Sequence, residues 1–391
     1  MPTNILLVAI SLFFWGIGEG LFSYFQPVYL QQLGASSVKI GVIYGALGIA
    51  MTIAQAPAGF LADKIGNRPV MWASWVLGSA SAIVMAFAMT ENVFIAGMLL
   101  YGLTSFVIAP MNAYITSVRE NWSIERALTT TAIAFNLGMI VGPKLGGIIA
   151  TASGIKSIYQ YSAGLFIIST LIILFAKKPS ETETHPETQK SPKLIANRKF
   201  FVLLTSIGIS TFAMYLPQPL TPNFLSNEAG ISIGDLGNLG TIASLGNVLM
   251  AMIFGGLKGP DGFLVGQILG MIFAFSFWQG QSVYAFALGY LFMGGFRLMR
   301  LMGLAFARTL VQANETGTAY GLIETANGLA AFFAPTVAGF LYQQSPKGMY
   351  LYTLILISVV FLINLVLRLT FLRPQSGTIV TSSTSVSENL R

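Results

Sequence analysis

Apolar residues in this chain gather into long runs separated by short polar breaks. The rough cores are 5–31, 40–62, 70–89, 93–118, 128–150, 158–176, 200–225, 235–257, 263–279, 282–307, 317–342 and 349–371. Each has about the length a helix needs to cross a bilayer, roughly 20 residues. Open strand edges cannot be satisfied in lipid, so such runs are expected as helices. The pattern predicts an all-α integral membrane protein with twelve transmembrane helices. Most breaks carry turn residues, as in Gly34 to Ser37, Thr90 to Asn92, Lys258 to Gly262 and Gln344 to Lys347.

One break differs. Residues 177–199 are polar, charged and proline-containing, and they divide the runs six and six. This stretch predicts a mobile cytoplasmic linker between an N-terminal six-helix bundle, 1–176, and a C-terminal one, 200–373. The Ser/Thr-rich tail, 374–391, is expected to be disordered.

Composition supports a polytopic membrane protein. Charged residues make up 9% of the chain, against about 25% in soluble proteins. The start lacks a basic n-region and a cleavage site, so no signal peptide is expected. There is no cysteine, which excludes disulfides, thiolate metal sites and cysteine nucleophiles. The one histidine, His185, reads as a solvated linker residue, so no metal site is expected. No nucleic-acid partner follows from the net charge of +7; charge reports orientation instead. With both termini inside, cytoplasmic segments hold 15 of the 21 basic residues and external loops hold only Lys39, Lys156 and Lys347. That asymmetry predicts a multi-pass protein of the cell membrane with both termini cytoplasmic.

The halves repeat. Gln26-Pro27 recurs as Gln218-Pro219, Gly142-Pro143 as Ala334-Pro335, and Gly102 as Gly294, all at an offset of 192. Three matches at one offset argue for a duplicated six-helix unit. Parallel repeats of this kind form transporters whose site lies between the halves.

Two motifs carry a family resemblance. Between the second and third runs stand Gly59, Leu61, Asp63, Lys64, Gly66, Asn67 and Arg68. This resembles the G-x-L-x-D-R-x-G-R-R loop of the major facilitator superfamily, with Lys64 and Asn67 as departures. In the fifth run, Gly138, Gly142, Pro143, Gly146 and Gly147 resemble the family's G-x-x-x-G-P-x-x-G-G pattern, common in its drug:proton antiporters. Lys144 departs from it and is expected to snorkel to the headgroups or to act in gating. The resemblance implies the major facilitator fold, two pseudo-symmetric six-helix bundles, a monomer and no cofactor. It implies gating roles for Gly59, Asp63, Lys64, Gly66 and Arg68, and for Gly142, Pro143 and Lys144. Many members carry an arginine before a glycine in the fourth helix. Here that place holds Tyr101-Gly102, so the usual proton relay cannot be copied onto it.

Candidate chemistry lies in polar groups inside the runs. Glu19 is the only charge between Ile5 and Gln31, and an acid there costs about 3 kcal/mol unless it faces a bundle interior or cavity. Glu19, Ser23 and Gln26 share one helix face, with Tyr24 at its border. Glu19 could bind a proton or be satisfied by another helix. Arg297, Arg300 and Glu324 sit at matching depths, so Glu324 is expected to pair with one arginine and leave the other to the cavity. Asn112, Asn136, Gln218, Asn247 and Asn327 are further candidates, either lining the cavity or bonding across helices.

No Walker motif, nucleophile elbow or metal box appears, so ATP-driven transport and catalysis are not expected. The favoured reading is a secondary active transporter working by alternating access, namely a proton-coupled exporter of small amphipathic compounds. Its partners would be a small-molecule substrate, protons or another coupling ion, and the lipid bilayer. The alternatives are uptake or exchange of a sugar, metabolite or organic anion, and a non-transporting receptor or sensor on the same fold.

Overall fold

The computed structural model describes residues 1–178, 197–312 and 315–371. Most of the expected linker, His185 and the whole expected tail lie outside the described residues. Among the described residues every regular element is helical.

The helices are α1 (Thr3–Ser23), α2 (Gln26–Gln32), α3 (Ser37–Ile53), α4 (Gln55–Ile65), α5 (Asn67–Phe87), α6 (Glu91–Leu103), α7 (Ile108–Ser117), α8 (Ile124–Ser153) and α9 (Ile155–Leu174). In the second half they are α10 (Arg198–Tyr215), α11 (Thr221–Asn227), α12 (Ile233–Phe254), α13 (Gly259–Gln279), α14 (Val283–Met293), α15 (Gly295–Arg308), α16 (Thr316–Gln344) and α17 (Gly348–Phe371). Ten helical runs are long and apolar enough to cross a membrane. The two other long runs, α14–α15 and α16, carry the intramembrane charges Arg297, Arg300 and Glu324, and together the set agrees with the twelve expected.

Proline explains why several runs are broken. Its ring clashes with the carbonyl four residues earlier and it donates no hydrogen bond. The first run breaks after Ser23, four residues before Pro27. The second breaks after Ile53, four before Pro57. The seventh breaks after Tyr215, four before Pro219. The fourth relaxes to a 3-10 turn at Thr104–Val107, just ahead of Pro110. Helix starts are capped by side chains, as where Ser36, Thr90, Ser123, Ser232 and Ser282 each accept a backbone N–H three residues on.

Glycine sets the close packing. Gly16 lies against the Gly138 backbone, and Gly20 against Gly142, so α1 and α8 touch almost without side chains between them. On its other flank α1 meets α9, where Ser162 donates to the Gly18 carbonyl (2.8 Å) and Ser11 and Ser169 bond each other (2.8 Å).

The halves meet along two related seams, α3 against α16 and α8 against α12. Gly45 and Gly48 approach Phe332 and Ala331 on the first seam. Gly147 approaches Gly234 and Gly237 on the second. At the end where α2 and α11 stop, Asn223 donates to the Pro27 carbonyl (3.1 Å) and to Gln31 Oε1 (2.6 Å), and Asn227 donates to the same oxygen (2.9 Å). Gln31 and Asn223 are 192 residues apart, so the two copies of the repeat clasp each other through equivalent positions. At the opposite end α4 packs on α3, α5 and α7, all in its own half.

Candidate transport cavity

A cavity of about 620 Å³ opens between the halves. Its walls come mostly from α1, α3, α5, α6, α7 and α8, and among the described residues the second half contributes Tyr215 and Arg297. Glu19 is the one acid and Arg297 the one base in that lining.

The helix geometry places them. Glu19, Ser23 and Gln26 all face the cavity from the end of α1 and the start of α2, along the stripe expected from their spacing. Ser23 turns its hydroxyl back to the Glu19 backbone carbonyl, which leaves the carboxylate to other partners. Tyr101 and Trp15 are its polar neighbours in the lining, and Arg297 is the cation whose field reaches it. Gln26 is buried and accepts from Tyr44 Oη at 3.2 Å. Arg297, exposed to the cavity, reaches across the gap between halves and donates to Asn136 Oδ1 at 3.2 Å. Asn136 in turn donates to the Ala132 carbonyl at 2.8 Å. Asn112 lines the cavity toward the end where α7 stops and α8 begins.

A second polar group lies in the other half. Arg300 pairs with Glu324 at 2.8 Å. Glu324 also accepts from Asn327 (3.4 Å), and buried Asn327 accepts from Thr211 (2.8 Å). Of the two arginines, one is therefore paired and the other lines the cavity.

Two residues sit elsewhere than the helix pattern suggested. Tyr24 is turned from the cavity into the second half, edge-on to Tyr290 with ring centroids 6.0 Å apart and close to Gly240. The break of α1 after Ser23 rotates it away from the stripe. Gln218 folds back onto the end of α10, donating to the Met214 carbonyl at 2.9 Å, and is not among the lining residues.

The gating candidates divide by location. Gly66 adopts φ +90° where α4 ends and α5 begins, a conformation that favours glycine. Lys64 and Arg68 lie over the rings of Phe60 (4.3 Å) and Trp72 (4.0 Å), both in their own half. Asp63 is exposed and, among the described residues, makes no ion pair; Gly59 faces open space. Gly142 and Pro143 lie at the junction of α1, α8 and α12, where Thr241 donates to the Ile140 carbonyl at 3.1 Å. Lys144 is exposed and outside the cavity lining.

Sequence reasoning missed Tyr101 as a partner of Glu19. A signal was present, because Tyr101 holds the place before Gly102 where the family resemblance implies an arginine. It also missed the Gln31–Asn223 clasp, which the 192-residue offset would have revealed.

The sequence model of the Major Facilitator Superfamily matches residues 8–218 and 203–387. The chain belongs to this superfamily of membrane transporters. An uncharacterized MFS-type transporter of Methanocaldococcus jannaschii is 24% identical over 367 residues, covering 87% of this chain and 92% of that one. Quinolone resistance protein NorA of Staphylococcus aureus is 22% identical over 359 residues, covering 88% and 91%. A mutant of nucleoside transporter NupG superposes with a TM-score of 0.79 at 15% identity, covering 93% of this chain and 100% of that one, which establishes the shared fold.

Proposed function

We propose that this protein is a secondary active transporter that exports small amphipathic compounds in exchange for protons, with Glu19 as the proton carrier. The observation that carries the reading is that, among the described residues, Glu19 is the only acid lining the cavity between the halves. The cavity suits amphipathic compounds, since Trp15, Phe22, Trp75, Tyr101, Phe135 and Tyr215 give it aromatic walls. The similarity to a quinolone resistance protein supports export of drug-like molecules.

With the basic loops in the cytoplasm, the clasped end at Gln31 and Asn223 is external, and the form described is inward-facing. In the outward-facing form the bundles 1–176 and 200–373 rock about the α3–α16 and α8–α12 seams. Asp63 and Arg68 then engage the second half, and Gly142 and Pro143 let α1 and α8 slide at close range. A carboxylate reachable from each side in turn can accept a proton outside and release it inside. Substrate and proton then use the same acid at different times, which makes their movements opposite.

The test is transport in proteoliposomes of a fluorescent lipophilic cation under an imposed proton gradient. Gradient-driven movement is expected for the wild type and at least a tenfold loss for Glu19→Gln. No movement under any gradient would remove the transport reading for such compounds. A second reading, exchange of organic anions anchored on Arg297, draws on the exposure of that side chain to the cavity. It predicts that Arg297→Gln abolishes carboxylate flux while Glu19→Gln leaves it intact.

A further inference from the structure

Glu19 and Arg297 line the same cavity from different halves, and each lies within the field of the other's charge. Arg300 and Glu324 form a direct pair at 2.8 Å; among the described residues Glu19 and Arg297 do not pair with each other. Neutral neighbours hold each charge in place. Tyr101 and Trp15 flank the carboxylate, and Asn136 takes one guanidinium nitrogen at 3.2 Å. The rest of the planar guanidinium is left for a ligand, and its donors match a carboxylate bidentately.

Opposite charges held apart in an aromatic pocket discriminate by sign. A cation is attracted to Glu19 and repelled by Arg297, and an anion meets the reverse. A ligand carrying both signs satisfies both groups at once, and a matched pair costs less to desolvate than a lone charge. Among the described residues the two make no ion pair, yet both line one cavity of about 620 Å³, so an amine and a carboxylate carried on one small molecule can reach both. The remaining body has an aromatic wall to lie on: Tyr101 stacks with Trp15 (centroids 6.3 Å) and meets Phe22 edge-on (5.4 Å).

We infer that the cavity selects compact amphipathic zwitterions, with the amine on Glu19, the carboxylate on Arg297 and an aromatic body against Trp15, Phe22 and Tyr101. This rests on the export reading above and narrows its substrate class. It also gives binding a conformational consequence. Because Tyr215 and Arg297 are the second half's contribution to the lining, a ligand held at both ends draws the halves together around itself.

The experiment measures binding to the purified protein in nanodiscs by quenching of tryptophan fluorescence, since Trp15 and Trp75 line the cavity. The probes are naphthylalanine, naphthylethylamine, which lacks its carboxylate, and naphthylpropionate, which lacks its amine. Naphthylalanine is expected to bind at least tenfold more tightly than either parent. Glu19→Gln and Arg297→Gln should each erase that advantage, and Arg297→Lys should restore part of it. Thermal melting of each variant separates lost binding from lost folding. If naphthylalanine binds no better than the amine, or keeps its advantage in Glu19→Gln, the zwitterion inference is overturned. If the amine still binds the wild type through Glu19, the export reading survives that result. If a folded wild type binds none of the three, both readings fall.

Discussion

Glu19 and Thr211 occupy the same place in the two copies of a duplicated helix, and the contrast between them defines the site. Thr211 is buried and satisfied by Asn327 at 2.8 Å. Glu19 lines the cavity, with Tyr101 and Trp15 beside it and Arg297 lining the same cavity from the other half. Its position on a cavity wall was legible in the sequence, because a single acid in an apolar run is costly unless it faces a bundle interior or a cavity. The pairing of Glu324 was also legible, since its depth matched that of the arginines. Tyr101 and Tyr24 were not, because an aromatic residue fits lipid, core and cavity equally well, and the break after Ser23 changes which way Tyr24 points. The two acids should behave differently on substitution. Glu324→Gln leaves Arg300 without its partner inside a span, so it should lower the melting temperature, but the pair lies outside the cavity lining. Proton-driven transport should persist within a few-fold. Transport assays on both variants check this; equal losses would place the coupling acid wrongly.

At the scale of elements, proline and glycine decide the architecture. The breaks after Ser23, Ile53 and Tyr215 each fall four residues before a proline, yet Pro143 and Pro335 sit inside unbroken helices, so the sequence marks where a break can fall and not where one does. Which helix each glycine touches was not readable, because a small residue announces close approach without naming the partner. Gly142 is where that matters most. A Cβ there would stand 2.6 Å from the Cα of Gly20. Gly142→Val should therefore force α1 and α8 apart and destabilise the protein by about 1–3 kcal/mol. Gly164, within α9, has open space around it. Gly164→Ala should be neutral or stabilising by up to about 1 kcal/mol. Melting of both variants in detergent gives the comparison, and a similar fall in both would deny Gly142 its special contact.

Over the whole molecule, the repeat offset foretold two related halves, and the relation is visible where equivalent residues touch. Gln31 and Asn223 clasp one end, and the α3–α16 and α8–α12 seams extend the closure inward. Which end is closed could not be read from the sequence, because both forms of an alternating molecule use the same residues. Asn223→Ala removes the donor to Gln31 and Pro27 and should shift the population toward opening at that end. The chain has no cysteine, so spin labels at Gln32→Cys and Glu228→Cys report the opening directly. A longer distance should appear in Asn223→Ala, and an unchanged distribution would assign closure to the glycine seams alone.

The central claim is that Glu19 couples protons to substrate without being needed for the halves to move. It is tested most directly by measuring two fluxes of one fluorescent lipophilic cation in the same proteoliposomes. One is transport driven by a proton gradient, and the other is exchange of labelled for unlabelled compound with no gradient. Wild type should perform both. Glu19→Gln should lose at least nine-tenths of the driven flux, an effect of about 1.4 kcal/mol, while exchange continues once the compound is raised to saturate the weakened site. Driven flux that survives the substitution would contradict the account.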